Sequence, residues 1–171
     1  MIDSSGSLSH RIRVLIVDDY AAVRQAVATV LQAFPGLELA GEASGIEEAL
    51  RLCARVHPDV VLMDISLPGI STAAATRAIL NCCPPTRVIA TCTFQEEDLI
   101  PEALSAGAVI CLLKNVSASE LASTIRAAYA VPSPTAPIFQ SEQGRVKNPQ
   151  IGLEPHDIHR AVVYSVGGKT I

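Results

Sequence analysis

From Arg11 onward, short apolar runs alternate with stretches whose apolar residues recur at helical spacing. Arg13 to Val17 (RVLIV) is a β-branched run ending on Asp18-Asp19, and it predicts a first strand. Ala21 to Phe34 follows, with Val23, Val27, Val30 and Leu31 on one face, and Pro35-Gly36 ends that helix. Leu37 to Ala43 predicts a second strand, and Ile46 to Val56 a second helix started after Ser44. Asp59 to Met63 reads as a strand buried on both faces and ends on Asp64. A third helix spans about Ala73 to Asn81 and is closed by Pro84-Pro85. Arg87 to Thr91 is the fourth strand, Glu97 to Ala106 the fourth helix with Gly107 as its stop, and Val109 to Leu113 the fifth strand. Ser117 to Ala130 makes the last helix, with Ser117 and Glu120 in capping-box spacing.

Five strand-helix pairs with nearly unbroken apolar strands call for a parallel sheet covered by helices on both faces. Right-handed crossovers then leave few topologies. The expected fold class is α/β, a flavodoxin-like doubly wound five-stranded parallel sheet of order 2-1-3-4-5. In that order strands 1 and 3 are neighbours, and their carboxyl ends open onto one crevice. The domain spans residues 11–130, after a polar, Ser-rich and flexible start over residues 1–10. Beyond Ala130, VPSPTAPIF packs in three prolines and reads as an extended linker. The rest of 131–171 is an irregular extension, in which only Ile158 to Val166 (IHRAVVYSV) is apolar enough to dock back as a strand or helical turn.

The composition sharpens this picture by exclusion. About half of the residues are apolar, which supplies a sizeable core. A net charge of −4 offers no general attraction to nucleic acid or an anionic membrane. No run approaches the roughly 20 apolar residues of a membrane span, and the N-terminus lacks the apolar segment of a signal peptide. Five cysteines, odd in number and without CxxC spacing, suit reduced thiols in a cytoplasmic protein. His156 and His159 lie three apart in PHDIHR, but without a further Cys or His close by they make no metal site.

The chemistry gathers at strand ends. Asp18, Asp19 and Asp64 each sit where a strand stops, and adjacency of strands 1 and 3 brings them together. Single acidic residues often cap the helix that follows. Three of them in one crevice instead repel one another unless a cation intervenes, and a purely oxygen-based set suits Mg²⁺. A carboxylate in such a place can act as a nucleophile and form an aspartyl-phosphate. Lys114 ends the fifth strand and brings positive charge to the same crevice.

VLIVDDY, PDVVLMDISLPG, ALSAGA and LLKN resemble the receiver domains of bacterial two-component response regulators. Arg24 within DDYAAVRQAV, GEASGIEEAL, and LLKNVSASEL in place of a Lys-Pro step are similar to the subfamily with LuxR-type helix-turn-helix outputs. The resemblance implies Mg²⁺ held by Asp18, Asp19, Asp64 and the backbone carbonyl of Ser66, a phosphoryl group accepted on Asp64, and Lys114 as its partner. It implies a sensor histidine kinase as donor, and at most self-catalysed phosphoryl uptake and loss instead of enzymatic turnover. The tail of about 40 residues shows no helix pair for DNA binding, so the expected outlet is contact with a downstream protein or a homodimer through helix 4, strand 5 and helix 5.

Two positions depart from the family. Receivers carry a Thr or Ser at the end of strand 4 and a Tyr or Phe three residues before the Lys, and these move together on phosphorylation. Here the aromatic position is Cys111. The hydroxyl position is Cys92 when counted from Asp64 or Lys114, and Thr91 when counted from the Glu96-Glu97-Asp98 turn. Alternation along a strand lets only one of the two face the phosphate. A thiol is a weak donor, so the alternative reading is a switch-impaired interaction module, or a truncated transcriptional regulator, acting without phosphorylation. Cys92 and Cys111 as a redox pair, and Cys82-Cys83 as more than ordinary thiols, are the remaining readings of the cysteines. An Asp-nucleophile phosphatase is disfavoured because Ser66, not an acid, stands two residues after Asp64.

Overall fold

The computed structural model describes residues 10–132 and the short strand Ala161–Val162. Five parallel strands stand in the order β2-β1-β3-β4-β5: β1 (Ile12–Val17), β2 (Leu37–Ala43), β3 (Val60–Asp64), β4 (Arg87–Cys92) and β5 (Ile110–Leu113). Helices α1 (Ala21–Ala33), α2 (Ile46–Val56), α3 (Thr72–Cys82), α4 (Ile100–Ser105) and α5 (Ala118–Ala130) fill the crossovers. All five residues of β3 are buried, as an apolar run between two helical layers demands. Alternate side chains feed two cores. Leu15, Val17, Val61, Met63, Ala90, Cys92 and Cys111 pack on one face with α2, α3 and α4. Val14, Ile16, Val60, Leu62, Ile89 and Leu112 pack on the other with α1 and α5.

Three details differ from the sequence-based expectations. The single helix expected over Glu97 to Ala106 is instead a 3-10 turn, Phe94–Leu99, followed by α4 from Ile100. Pro101 is the cause, because it lacks an N–H and fits only the first turn of a helix. At α2 the N-cap is Gly45 without a side-chain bond, and Ser44 acts one residue earlier, its amide and hydroxyl both donating to Glu48 Oε2 at 2.9 and 3.0 Å. The sheet also has a sixth strand, β6 (Ala161–Val162), antiparallel to β5 through Cys111↔Val162 and Leu112↔Ala161. It lies inside the apolar stretch expected to dock. The rest of that stretch, the proline-rich linker, residues 1–9 and the His156/His159 pair lie outside the described residues.

Candidate phosphoacceptor and metal site

Parallel strands all end on the same side of the sheet, so residues just past β1, β3, β4 and β5 share one rim. Asp18 and Asp19 follow Val17, whose partner in β3 is Met63, and this sets Asp18 beside Asp64. The carboxylate oxygens of Asp18, Asp19 and Asp64 lie within 4.8 Å of one another. Asp18 and Asp64 are buried, whereas Asp19 is exposed.

Lys114 reaches this group from β5 across the end of β4, a span of two strand spacings or about 10 Å. Its Nζ donates to Asp18 Oδ2 at 2.8 Å and pairs with Asp64 Oδ2 at 3.0 Å. Its amide is held by Cys92 O at 2.8 Å, which aims the side chain inward. Burial pulls the Lys114 ammonium down, but the bonds to Asp18 and Asp64 outweigh it and leave the pKa raised. Three carboxylates and one ammonium leave a formal charge of −2, which a divalent cation balances. Every donor in the cluster is an oxygen, so the residues present fit a hard ion such as Mg²⁺.

The neighbouring loops lock the carboxylates. The amide of Tyr20 donates to Asp18 Oδ1 at 2.9 Å, and Arg24 Nη1 donates to the Asp18 carbonyl at 2.7 Å. Ser66 turns back on Asp64, with its amide 3.2 Å from Oδ1 and its hydroxyl 3.2 Å from both oxygens. Thr72 Oγ1 then donates to the Ile65 carbonyl at 2.6 Å, tying the loop after Asp64 to the start of α3.

Glu96 is a rim residue that strand-end reasoning used only for counting. Its carboxylate accepts from the Thr93 amide at 2.7 Å and the Thr93 hydroxyl at 2.9 Å. Partial burial pushes its pKa up, but the Thr93 amide and the Ser66 hydroxyl pull harder, so the net shift is downward. No signal in the sequence tied Glu96 to Ser66, because the two meet only through tertiary packing.

The competing switch positions face opposite ways. Thr91 pairs with Asp64 in the β3–β4 ladder and lines a cavity of about 140 Å³ between α1 and α5, together with Asp18 and Lys114. Cys92 is buried on the other face, its thiol 3.8 Å from the Leu112 carbonyl, in the same core as Cys111. Burial, with Cys92 nearby, pushes the Cys111 thiol up to about 12.

The sequence matches the response regulator receiver domain over residues 14–126. It is 34% identical over 148 residues to the response regulator GacA of Pseudomonas viridiflava, covering 86% of this chain and 69% of that protein. It is 39% identical over 117 residues to the transcriptional regulatory protein LiaR of Bacillus subtilis (strain 168), covering 68% of this chain and 56% of that protein. The fold matches the crystal structure of a LuxR-family two-component response regulator from Aurantimonas sp., with a TM-score of 0.66, 31% identity, and coverage of 72% of this chain and 88% of that one. This chain thus spans 69% and 56% of the length of these two curated relatives. Among the described residues, no helix is long and apolar enough to cross a membrane. Strand order, acidic cluster and converging lysine agree with these matches: the chain belongs to the response regulator receiver domain family of two-component signalling systems.

Proposed function

We propose that this receiver accepts a phosphoryl group on Asp64 from the phosphohistidine of a sensor histidine kinase, with Mg²⁺ held by Asp18, Asp19, Asp64 and the Ser66 carbonyl. The observation that carries the reading is the convergence of three carboxylates within 4.8 Å on a lysine 3.0 Å from Asp64. A bound divalent ion would supply charge neutralisation for the transferring group. The protein's own part is to hold Asp64 as nucleophile, keep it hydrogen-bonded by Ser66, and offer Lys114 to the phosphoryl oxygens. In the free protein Lys114 bridges Asp18 and Asp64. A bound ion and phosphoryl group would take over those contacts, and the ion would offset the charge of −2 that Lys114 leaves.

The chain acts in this reading as a cytoplasmic phosphoacceptor with at most self-catalysed uptake and loss, and it signals by protein contact. Tyr20 and Phe94 favour that outlet. They are the large exposed apolar side chains of the described residues, and they follow β1 and β4 at the phosphoacceptor end of the sheet. A homodimer through α4, β5 and α5 is the other surface proposed, and direct DNA binding by this chain is not part of the reading.

Incubation with acetyl phosphate and Mg²⁺ tests the assignment. Intact-mass measurement should show one added phosphoryl group on the wild type and none on Asp64→Asn. Uptake by the Asp64→Asn variant, or none by the wild type, would overturn it.

A second reading is favoured by one observation: Cys92 and Cys111 share a core face, as the moving pair of a receiver must, yet neither is a hydroxyl or an aromatic. The chain would then be a switch-impaired receiver that regulates by binding alone. Failure of the wild type to take up phosphate would favour this second reading.

A further inference from the structure

Three of the five cysteines meet far from the phosphoacceptor. Cys53 lies on α2 and is fully buried; Cys82 ends α3 and is exposed; Cys83 caps that helix and is buried. The Cys82 thiol points at α2, donating to the Leu50 carbonyl at 3.6 Å, one turn before Cys53. The Cys83 thiol lies within hydrogen-bonding reach of both Cys53 and Cys82. Two helices that pack side by side thus place an accessible thiol next to a sheltered pair. Asp64 begins the β3–α3 connection, whereas this group sits at the other end of α3.

We propose that Cys53, Cys82 and Cys83 form a dithiol–disulfide modification site, oxidised by a low-molecular-weight disulfide to a cross-link between α2 and the end of α3. Cys82 reacts first because it alone is exposed. Its thiol releases a proton to solvent and attacks one sulfur of the oxidant. A bond forms between Cys82 and that sulfur, the oxidant's S–S bond breaks, and one small thiolate leaves and is protonated. Cys53 then attacks the Cys82 sulfur, forming the protein cross-link and expelling the second small thiol. Two protein thiols lose two electrons and two protons, and one small disulfide becomes two thiols.

Cys83 does not close on Cys82. Consecutive Cα atoms are about 3.8 Å apart, short of the roughly 4.4–6.8 Å of ordinary disulfides. The resolving thiol therefore comes from α2. Burial, reinforced by Cys83, pushes the Cys53 thiol up to about 12, so Cys53 does not react with the oxidant first, and its proton passes to the departing small thiolate when it attacks Cys82. Cys92 and Cys111 are both buried with no exposed thiol between them and solvent, and they remain reduced.

The test is peptide mapping without reductant after incubating the folded chain with glutathione disulfide. The tryptic peptides 52–55 and 78–87 should appear joined, lighter than their sum by two hydrogens, and should separate with dithiothreitol. Cys82→Ala should abolish the joining, residual joining through Cys83 counting against the proposal, and Cys53→Ala should stop the reaction at a mixed disulfide on Cys82. A thermal melt of each variant confirms that it is folded. A mixed disulfide alone on the wild type, a dimer joined through Cys82, no reaction at all, or equally fast loss of Cys92 and Cys111 would each overturn the proposal.

Discussion

At the scale of single residues, much of what holds this molecule is local and readable. Gly107 is an instance. The sequence marks it as a helix stop, and the structure places it at φ +113°, a left-handed conformation that costs a side-chain-bearing residue. Its amide donates to the Leu104 carbonyl at 3.0 Å and the amide of Ala108 to the Ala103 carbonyl at 3.1 Å, which is a Schellman ending. A Cβ at this position would also sit 2.6 Å from Leu80 Cδ1, although that methyl ends a movable side chain. Gly107→Ala should therefore cost about 1–3 kcal/mol, read as a lower midpoint of urea unfolding at unchanged slope. An unchanged midpoint would show that neither the backbone nor Leu80 is under constraint there. Glu96 shows the opposite situation. Its bond to Thr93 has the local Thr-x-x-Glu spacing of a capping box, but nothing near it announced that it would sit against Ser66, because that meeting depends on where the β3 and β4 loops cross.

At the scale of elements, periodicity and end signals located nearly every strand and helix, because each apolar face had to find a layer to cover it. The capping box of α5 is present as its spacing implied. Ser117 Oγ accepts from the Glu120 amide at 3.2 Å, and Glu120 accepts from the Ser117 amide at 2.7 Å. Ser117→Ala should destabilise the domain by about 1 kcal/mol, seen in thermal unfolding, and Ser117→Asp should recover most of that loss. No effect of Ser117→Ala would mean that packing of Leu121 and Ile125 alone holds the helix end. The fourth helix was misread because a hydrophobic pattern does not report hydrogen bonds. Pro101 fits the pattern but cannot donate, and so the chain runs as a 3-10 turn before it. Likewise His57 ends α2 at φ 45°, a left-handed cap for which a glycine would have been the usual signal.

At the scale of the whole molecule, the question is whether events at Asp64 reach the α4–β5–α5 face. Of the candidate switch positions, Cys92 and Cys111 are small thiols in one core, whereas Thr91 lies on the opposite face with Asp18 and Lys114, and the β5 edge is itself paired with Ala161–Val162. A cysteine cannot sweep out the volume that an aromatic ring vacates, and close-packed interiors transmit only what they can repack. With beryllofluoride and Mg²⁺ bound, backbone amide shifts should change strongly around residues 18–20, 64–66 and 114, and little over 100–113 and 118–130. Large changes over α4, β5 and α5 would show an intact switch and remove the reason for the second functional reading.

The sequence by itself determined the layered α/β architecture, the order of its elements and the identity of the acidic and basic residues at strand ends. These follow from burial and backbone chemistry that act within a few residues of each position. Only the tertiary structure decided which way Thr91 and Cys92 face, that Lys114 spans β4 to bridge Asp18 and Asp64, that Glu96 joins the rim, and that Cys53 meets Cys82 and Cys83. A one-residue change of strand register inverts every facing, and contacts between remote segments arise from packing that no local pattern encodes.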